Sequence, residues 1–205
     1  MTIHHITSGY LGVNSYFLIA DDKVSAILID GGENYQLIKQ TEKQLGVKIK
    51  ALLLTHAHYD HVGNAKRLQD DGVKVFIGKQ DADKLKEGDN PEKRVGKSFE
   101  SLTADCMLID GDILNFFGLR IKVIETPGHT NGSVCYLVDN ALFTGDTLFF
   151  ESIGRTDFAT GNSFQMQKSL KKLFSLEGDY KVYPGHADFT TLAHERKFNP
   201  YYKNV

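Results

Sequence analysis

The chain has 205 residues, 24 basic and 26 acidic side chains and a formal net charge of −2, a balance that excludes a basic nucleic-acid footprint or a polybasic membrane patch. Hydrophobic residues at 41% and charged residues at 24% are enough for an ordinary core, and the length fits one domain over 1–205. No apolar run approaches the ~18 residues that span a bilayer, and "MTIHHITSGY" lacks a signal-peptide pattern, so a cytoplasmic protein is expected.

In chain order, "SYFLIA" (15–20) and "VSAILID" (24–30) are rich in β-branched and aromatic residues, and "DDK" between them suits a hairpin turn. Gly31 and Gly32 punctuate. "ENYQLIKQTEKQLG" reads as a helix with Ile38, Thr41 and Leu45 on one stripe and Gly46 as its stop. "IKALLLT" (49–55) is nearly continuous in apolar residues, as a strand buried on both faces would be. A short helix is predicted from His61 to Asp71, with Val62, Ala65 and Leu68 inward and Gly72 closing it, then a strand "VKVFIG" (73–78). Residues 79–105 read as a solvated helix and loop, the alternative being a flexible rim over a site.

Strands follow near 106–109 and 113–117, then "LRIKVIE" (119–125), "SVCYLV" (133–138) and "ALFTG" (141–145). A helix over about 163–175 opens on Asn162 with Gln165 three residues on, a variant of the capping box. A strand "KVYP" and a helix near 190–197 finish the chain. Cys106 and Cys135 lie in apolar segments without metal-type spacing and are expected as buried thiols. Strands, then strand mixed with helix, repeated, point to two sheets packed together with helices outside.

The chemistry concentrates in "LLLTHAHYDHVGN", which places His56, His58, Asp60 and His61 within six positions after a greasy strand. These side chains hold cations well and are costly to bury alone. His56 and His58, two apart, project to the same side of an extended chain. Three further stretches share the grammar of a strand, a glycine-containing turn and a ligand-type residue. "IETPGHTNGS" gives His129, "ALFTGDTLF" gives Asp146 and "KVYPGHADF" gives His186. Alone, each of the three reads as an ordinary loop residue; beside the H-x-H-x-D-H cluster they gain weight as candidate ligands. Seven donors exceed the four that one zinc takes and suit two cations, and the lack of thiolate argues against a closed structural zinc. Asp146, alone in its loop, is the natural bridge.

These motifs resemble those of the metallo-β-lactamase-fold hydrolases, from "GVNSYFLIADDKVSAILIDGG" to "YPGHADFTTLAHERKFNP". "SIGRTDFATG" (152–161) and the "TTLAHERKFNPYY" ending are most similar to the short glyoxalase II-like (hydroxyacylglutathione hydrolase-like) branch. The resemblance implies an αββα sandwich, two mixed sheets flanked by helices, with a dinuclear site at the loop edge. It implies that His56, His58 and His129 hold the first metal, that Asp60, His61 and His186 hold the second, and that Asp146 bridges. Asp60 and Asp146 are then the catalytic carboxylates as well as ligands. Two divalent ions are expected, zinc first, with iron or manganese also suited.

Departures from the family pattern narrow the chemistry. Aspartate at 146, where family β-lactamases often carry cysteine or serine, disfavours β-lactam hydrolysis. Histidine at 58 argues against the di-iron flavoprotein role. The chain stops 19 residues past His186, short of the helical domain that helps full-length glyoxalase II enzymes bind glutathione. A metal-bridging hydroxide attacking the thioester of a small thiol, such as S-lactoylglutathione, is the expected reaction. No nucleic-acid or membrane partner is expected. Arg155 is the candidate substrate contact, with an ion pair to Asp157 as its structural role. The competing functions are a mononuclear iron persulfide dioxygenase using residues at His56, His129 and Asp146, a lactonase or phosphodiesterase on the same site, and a non-catalytic metal-binding protein.

Overall fold

The computed structural model describes residues 1–87 and 99–202. Most of the loop expected within 79–105 lies in residues 88–98, outside the described residues; its start is a short 3-10 turn, Lys79–Asp81, running into a helix.

Two six-stranded sheets form the centre. The first takes β1 (Thr2–Ser8), β2 (Val13–Ile19), β3 (Ser25–Ile29), β4 (Lys48–Leu54), β5 (Lys74–Gly78) and β6 (Cys106–Leu108) in sequence order. Its β1–β2–β3 part is antiparallel and its β3–β4–β5–β6 part parallel. The second is built from β7 (Ile113–Phe116), β8 (Leu119–Glu125), β9 (Val134–Val138), β10 (Ala141–Gly145), β13 (Lys181–Pro184) and β14 (Thr190–Thr191). Only β10 and β13 are parallel there. A small hairpin, β11 (Leu148–Phe149) with β12 (Ser152–Ile153), forms a separate sheet packed beside β10 and β13.

Period-two alternation sorts the core into three layers. Phe17, Leu52 and Leu54 turn outward with Ile38 of α1 (Tyr35–Leu45) and Leu68 of α3 (Ala65–Asp70). Their neighbours Tyr16, Leu18 and Leu53 turn inward and meet Ile121, Val123, Tyr136 and Phe143 of the second sheet. Beyond that sheet, Ile124, Leu142 and Val182 pack on Met166, Leu170 and Leu173 of α5 (Ser163–Phe174) and Leu192 of α6 (Leu192–Phe198). The order is helix, sheet, sheet, helix: the αββα sandwich with two mixed sheets that the resemblance implies. No helix among the described residues is long and apolar enough to cross a bilayer.

The caps follow local chemistry. The Asn34 side chain accepts from Leu37 N–H to start α1, and Gly46 ends it at φ +67, a conformation glycine adopts without strain. Asn162 opens α5 by accepting from Gln165 N–H, as the sequence predicts.

The helix expected over 61–71 is two helices, α2 (Tyr59–Val62) and α3, broken at Gly63 and Asn64. The cause is tertiary. The Asn64 amide donates to the Gly31 and Gly32 carbonyls, both at 3.0 Å, and a Cβ on Gly63 would lie 3.0 Å from the Gly32 oxygen. The break thus docks the start of the His/Asp cluster onto the turn after β3. β1 and the β11–β12 hairpin are strands that the sequence leaves undelimited. Cys135 is buried, but Cys106 is only partly so because β6 is an edge strand; both thiols are free.

Two tyrosines cross between the sheets at one end of the sandwich. Tyr136 Oη donates to Leu54 O at the end of β4, and Tyr16 Oη donates to Pro184 O at the end of β13, each at 2.6 Å. Both are buried, so each bond replaces a lost hydration partner.

Candidate metal centre

The tyrosine-tied edge is where the seven predicted donors converge. His56 to His61 follow β4, His129 follows β8, Asp146 follows β10 and His186 follows β13. Irregular loops at strand ends are free to aim side chains inward.

The donors fall into two trios. His58 Nδ1 lies 3.0 Å from His56 Nε2 and 2.8 Å from His129 Nε2. In the second, His186 Nε2 is 3.2 Å from Asp60 Oδ2 and 3.3 Å from His61 Nε2, and His61 Nε2 is 3.7 Å from Asp60 Oδ2. Ligands on one cation at bond lengths of ~2.1 Å stand at about these separations. Asp146 faces both trios. Its Oδ1 is 3.3 Å from His61 Nε2, and its Oδ2 is 3.4 Å from His129 Nε2 and 3.6 Å from His186 Nε2.

Outer hydrogen bonds set which nitrogen of each ring faces the centre. Thr55 Oγ1 donates to Asp30 Oδ2 at 2.8 Å, so towards His56 Nδ1, 3.1 Å away, it can only accept. His61 Nδ1 donates to Asp30 Oδ2 at 2.8 Å, His129 Nδ1 to Arg155 O at 2.8 Å and His186 Nδ1 to Leu11 O at 3.1 Å. All four Nδ1 atoms are turned to these outer partners, so all four Nε2 atoms face the centre as the nitrogens a cation would take.

Electrostatics divide the rings. Burial lowers His61 and His186, but Asp60, Asp30 and Asp146 outweigh it at His61, and Asp60 and Asp146 outweigh it at His186. Both rise above the ordinary histidine range and hold a proton that a cation at Nε2 would displace. Burial, and then the surrounding imidazoles, hold His56 well below the ordinary histidine range, and burial with His129 pushes His58 down to about 3. Both are neutral bases at neutral pH. Burial alone would raise Asp146, but His61 and His129 outweigh it and keep the carboxyl well below the usual carboxylate range. Asp60 is likewise lowered, His61 and His186 outweighing its burial. Asp146 Oδ1 is buried without a hydrogen-bond donor. Convergent imidazole nitrogens, anionic carboxylates and an orphaned buried oxygen together fit a pair of divalent cations. Even the backbone makes room: a Cβ on Gly185 would sit 2.3 Å from Asp146 Oδ1 and 2.7 Å from His61 Cε1.

All seven sequence candidates therefore meet. Arg155 meets the donors through its backbone carbonyl, which receives His129 Nδ1–H. Its guanidinium forms a two-pronged pair with Asp157, at 2.9 and 2.8 Å, and lies 4.6 Å over the Phe158 ring. Phe158 in turn sets its edge against His58 and His129, at 5.0 and 5.5 Å between ring centres. Sequence reasoning missed Asp30, which orients two of the ligands, and Asp81, whose Oδ2 accepts Ala57 N–H at 2.9 Å. Asp30 carries a readable signal: an acidic residue between an apolar strand and Gly-Gly, the grammar of the ligand turns themselves.

Two sheets that each lend part of a His/Asp donor set to one shared edge define the class, a metallo-hydrolase scaffold. The chain belongs to the metallo-beta-lactamase superfamily, whose profile matches residues 8–186. It is 35% identical over 215 residues to a probable metallo-hydrolase of Streptococcus pyogenes, covering 98% of this chain and 88% of that one. It is 37% identical over 195 residues to the hydroxyacylglutathione hydrolase GloC of Haemophilus influenzae, covering 90% of each. Among solved structures it is similar to the BLEG-1 B3 metallo-beta-lactamase, at TM-score 0.93, 31% identity and coverage of 98% and 99%. TTHA1623 in a di-iron-bound form gives 0.86 and 30% over 97% and 99%. ETHE1 from Myxococcus xanthus gives 0.83 and 28% over 98% and 84%.

Proposed function

We propose that this chain is a single-domain, cytoplasmic metal-dependent hydrolase that cleaves the thioester of a small thiol, with S-lactoylglutathione as the model substrate. The observation that carries the reading is Asp146 facing both trios at once, supported by the likeness to GloC. His56, His58 and His129 would hold one cation, Asp60, His61 and His186 the other, and Asp146 both. Zinc is the proposed ion; iron and manganese suit the same donors.

Such cations supply Lewis acidity, lowering the pKa of water and polarising a carbonyl. The residues of this chain do the rest. Asp30, the Arg155 carbonyl and the Leu11 carbonyl lock the imidazoles in one tautomer, so no reorganisation is needed at the moment of reaction. Asp60 and Asp146, held anionic at neutral pH, would neutralise the cations and orient a water at the centre. Phe158 lines one side of the first trio and limits water there. A thiolate leaving group, with a free pKa near 8.5, departs without a general acid.

The deciding experiment is thioester cleavage by protein whose metal content has been counted, beside nitrocefin and a lactone. Cleavage of the thioester alone, with two cations bound, is expected. The likeness to ETHE1 favours one rival, a persulfide dioxygenase with one iron; oxygen uptake on glutathione persulfide by protein holding one iron would replace the hydrolase reading. His58→Ala is expected to cut turnover by on the order of a hundredfold or more while far-UV circular dichroism stays native-like. Near-normal turnover would remove His58 from the ligand set. Arg155→Ala is expected to raise KM for an anionic thioester several-fold at unchanged kcat, since the contact lies away from the reacting carbon. An unchanged KM would leave Arg155 only its loop-ordering pair with Asp157.

A further inference from the structure

Beneath the first trio lies an ion pair that the donor set does not use. Asp81, in the turn after β5, is fully buried. Its Oδ2 accepts Ala57 N–H at 2.9 Å and the Thr130 hydroxyl at 2.8 Å, and its Oδ1 takes the Lys84 ammonium at 2.5 Å. Lys84 also donates to Asn131 Oδ1 at 2.5 Å and Thr160 Oγ1 at 3.0 Å.

The partners are not scattered. Ala57 separates His56 from His58, Thr130 follows His129, and Thr160 lies two residues past Phe158, whose ring abuts His58 and His129. One carboxylate and one ammonium thus touch every stretch of chain that builds the first trio, and the aromatic wall beside it. The second trio hangs on other groups: His61 on Asp30 and His186 on the Leu11 carbonyl.

The chain gives up side chains to permit this approach. A Cβ on Gly132 would fall 2.5 Å from Asp81 Oδ1, and one on Gly78 would fall 2.2 Å from the Gly132 oxygen. A buried carboxylate with a full set of donors is rigid, whereas the same carboxylate stripped of its cation is costly.

We infer that Asp81 and Lys84 are positioning residues for the first trio: they hold His56, His58 and His129 on a common centre and lock that centre to the Phe158 loop. This rests on the two-cation reading above. Loosening the pair widens the spread of the three imidazoles and weakens the cation they share, while the second site keeps its affinity.

The test is Zn2+ titration of metal-free protein against a chelating competitor, in two backgrounds. His186→Ala removes a ligand from the second trio, so the tighter site reports the first; His58→Ala does the reverse. Lys84→Met, which keeps the aliphatic stem and loses only the cation, is expected to weaken Zn2+ about 10–100-fold in the His186→Ala background. In the His58→Ala background it is expected to change affinity less than about twofold. Asp81→Asn should behave alike; if it does not fold, Lys84→Met carries the test. Equal losses in both backgrounds would show general loosening and overturn the inference, as would no loss in the first. Unmodified protein that binds two Zn2+ with variants that bind equally well sinks this inference alone. Unmodified protein that binds no Zn2+ sinks the two-cation reading with it.

Discussion

Asp146→Asn is expected to lower kcat/KM for the thioester by on the order of a thousandfold and to leave the purified protein with fewer than two cations. The substitution keeps the shape and removes the charge. Asp146 is the carboxylate whose two oxygens look in different directions, Oδ1 to His61 and Oδ2 to His129 and His186. An amide presents one acceptor and one donor there, and the donor would point at the imidazole Nε2 atoms or at a cation. Elemental analysis beside steady-state kinetics checks both halves. Two cations and activity within about tenfold of the parent would mean that Asp146 does not bridge.

Asp30→Ala is expected to damage folding and the centre together. Asp30 accepts Thr55 N–H, Thr55 Oγ–H and His61 Nδ1–H, each at 2.8 Å, and is buried. Its loss strands three buried donors, at about 1–3 kcal/mol each before relaxation. The residue also sits at φ +57, a left-handed conformation that aspartate and asparagine tolerate better than alanine. We expect a melting temperature lower by about 5–15 °C in a chain of this size, and the loss of at least one cation. Asp30→Asn separates the two effects. Asparagine suits the backbone but cannot accept all three bonds, so it should restore much of the melting temperature without restoring the metal. Full metal content in either variant would show that the imidazoles need no such anchor.

The donors were legible in the sequence because their signal is local. H-x-H-x-D-H after an apolar strand, and histidine or aspartate in a turn beside glycine, depend on nothing remote. The strands of the central layers were legible for the same reason: "LRIKVIE" alternates, and β8 alternates in burial with it. Features set by partners far along the chain were not. Gly63 and Asn64 break a helix because of carbonyls some thirty residues earlier. Asp81 reads as one more charge in a charged stretch, and only the approach of residues 57 and 130 makes it a fixture. The two-residue strands β11 and β12 are too short to show a period. Cys106 looks like Cys135 in sequence; that β6 ends a sheet is a matter of topology. Arg155 falls between: its pair with Asp157 is two residues away and could be anticipated, while its place over Phe158 could not.

The crossed tyrosines carry one more implication. Each sheet reaches over to grip the final carbonyl of a strand that delivers ligands from the other. The rim is therefore braced by permanent covalent residents of the polypeptide, and the scaffold works as a socket, shaped in advance, into which ions are exchanged like bulbs. Stripping the ions with a chelator should abolish activity while leaving the thermal unfolding of the emptied protein a single cooperative transition.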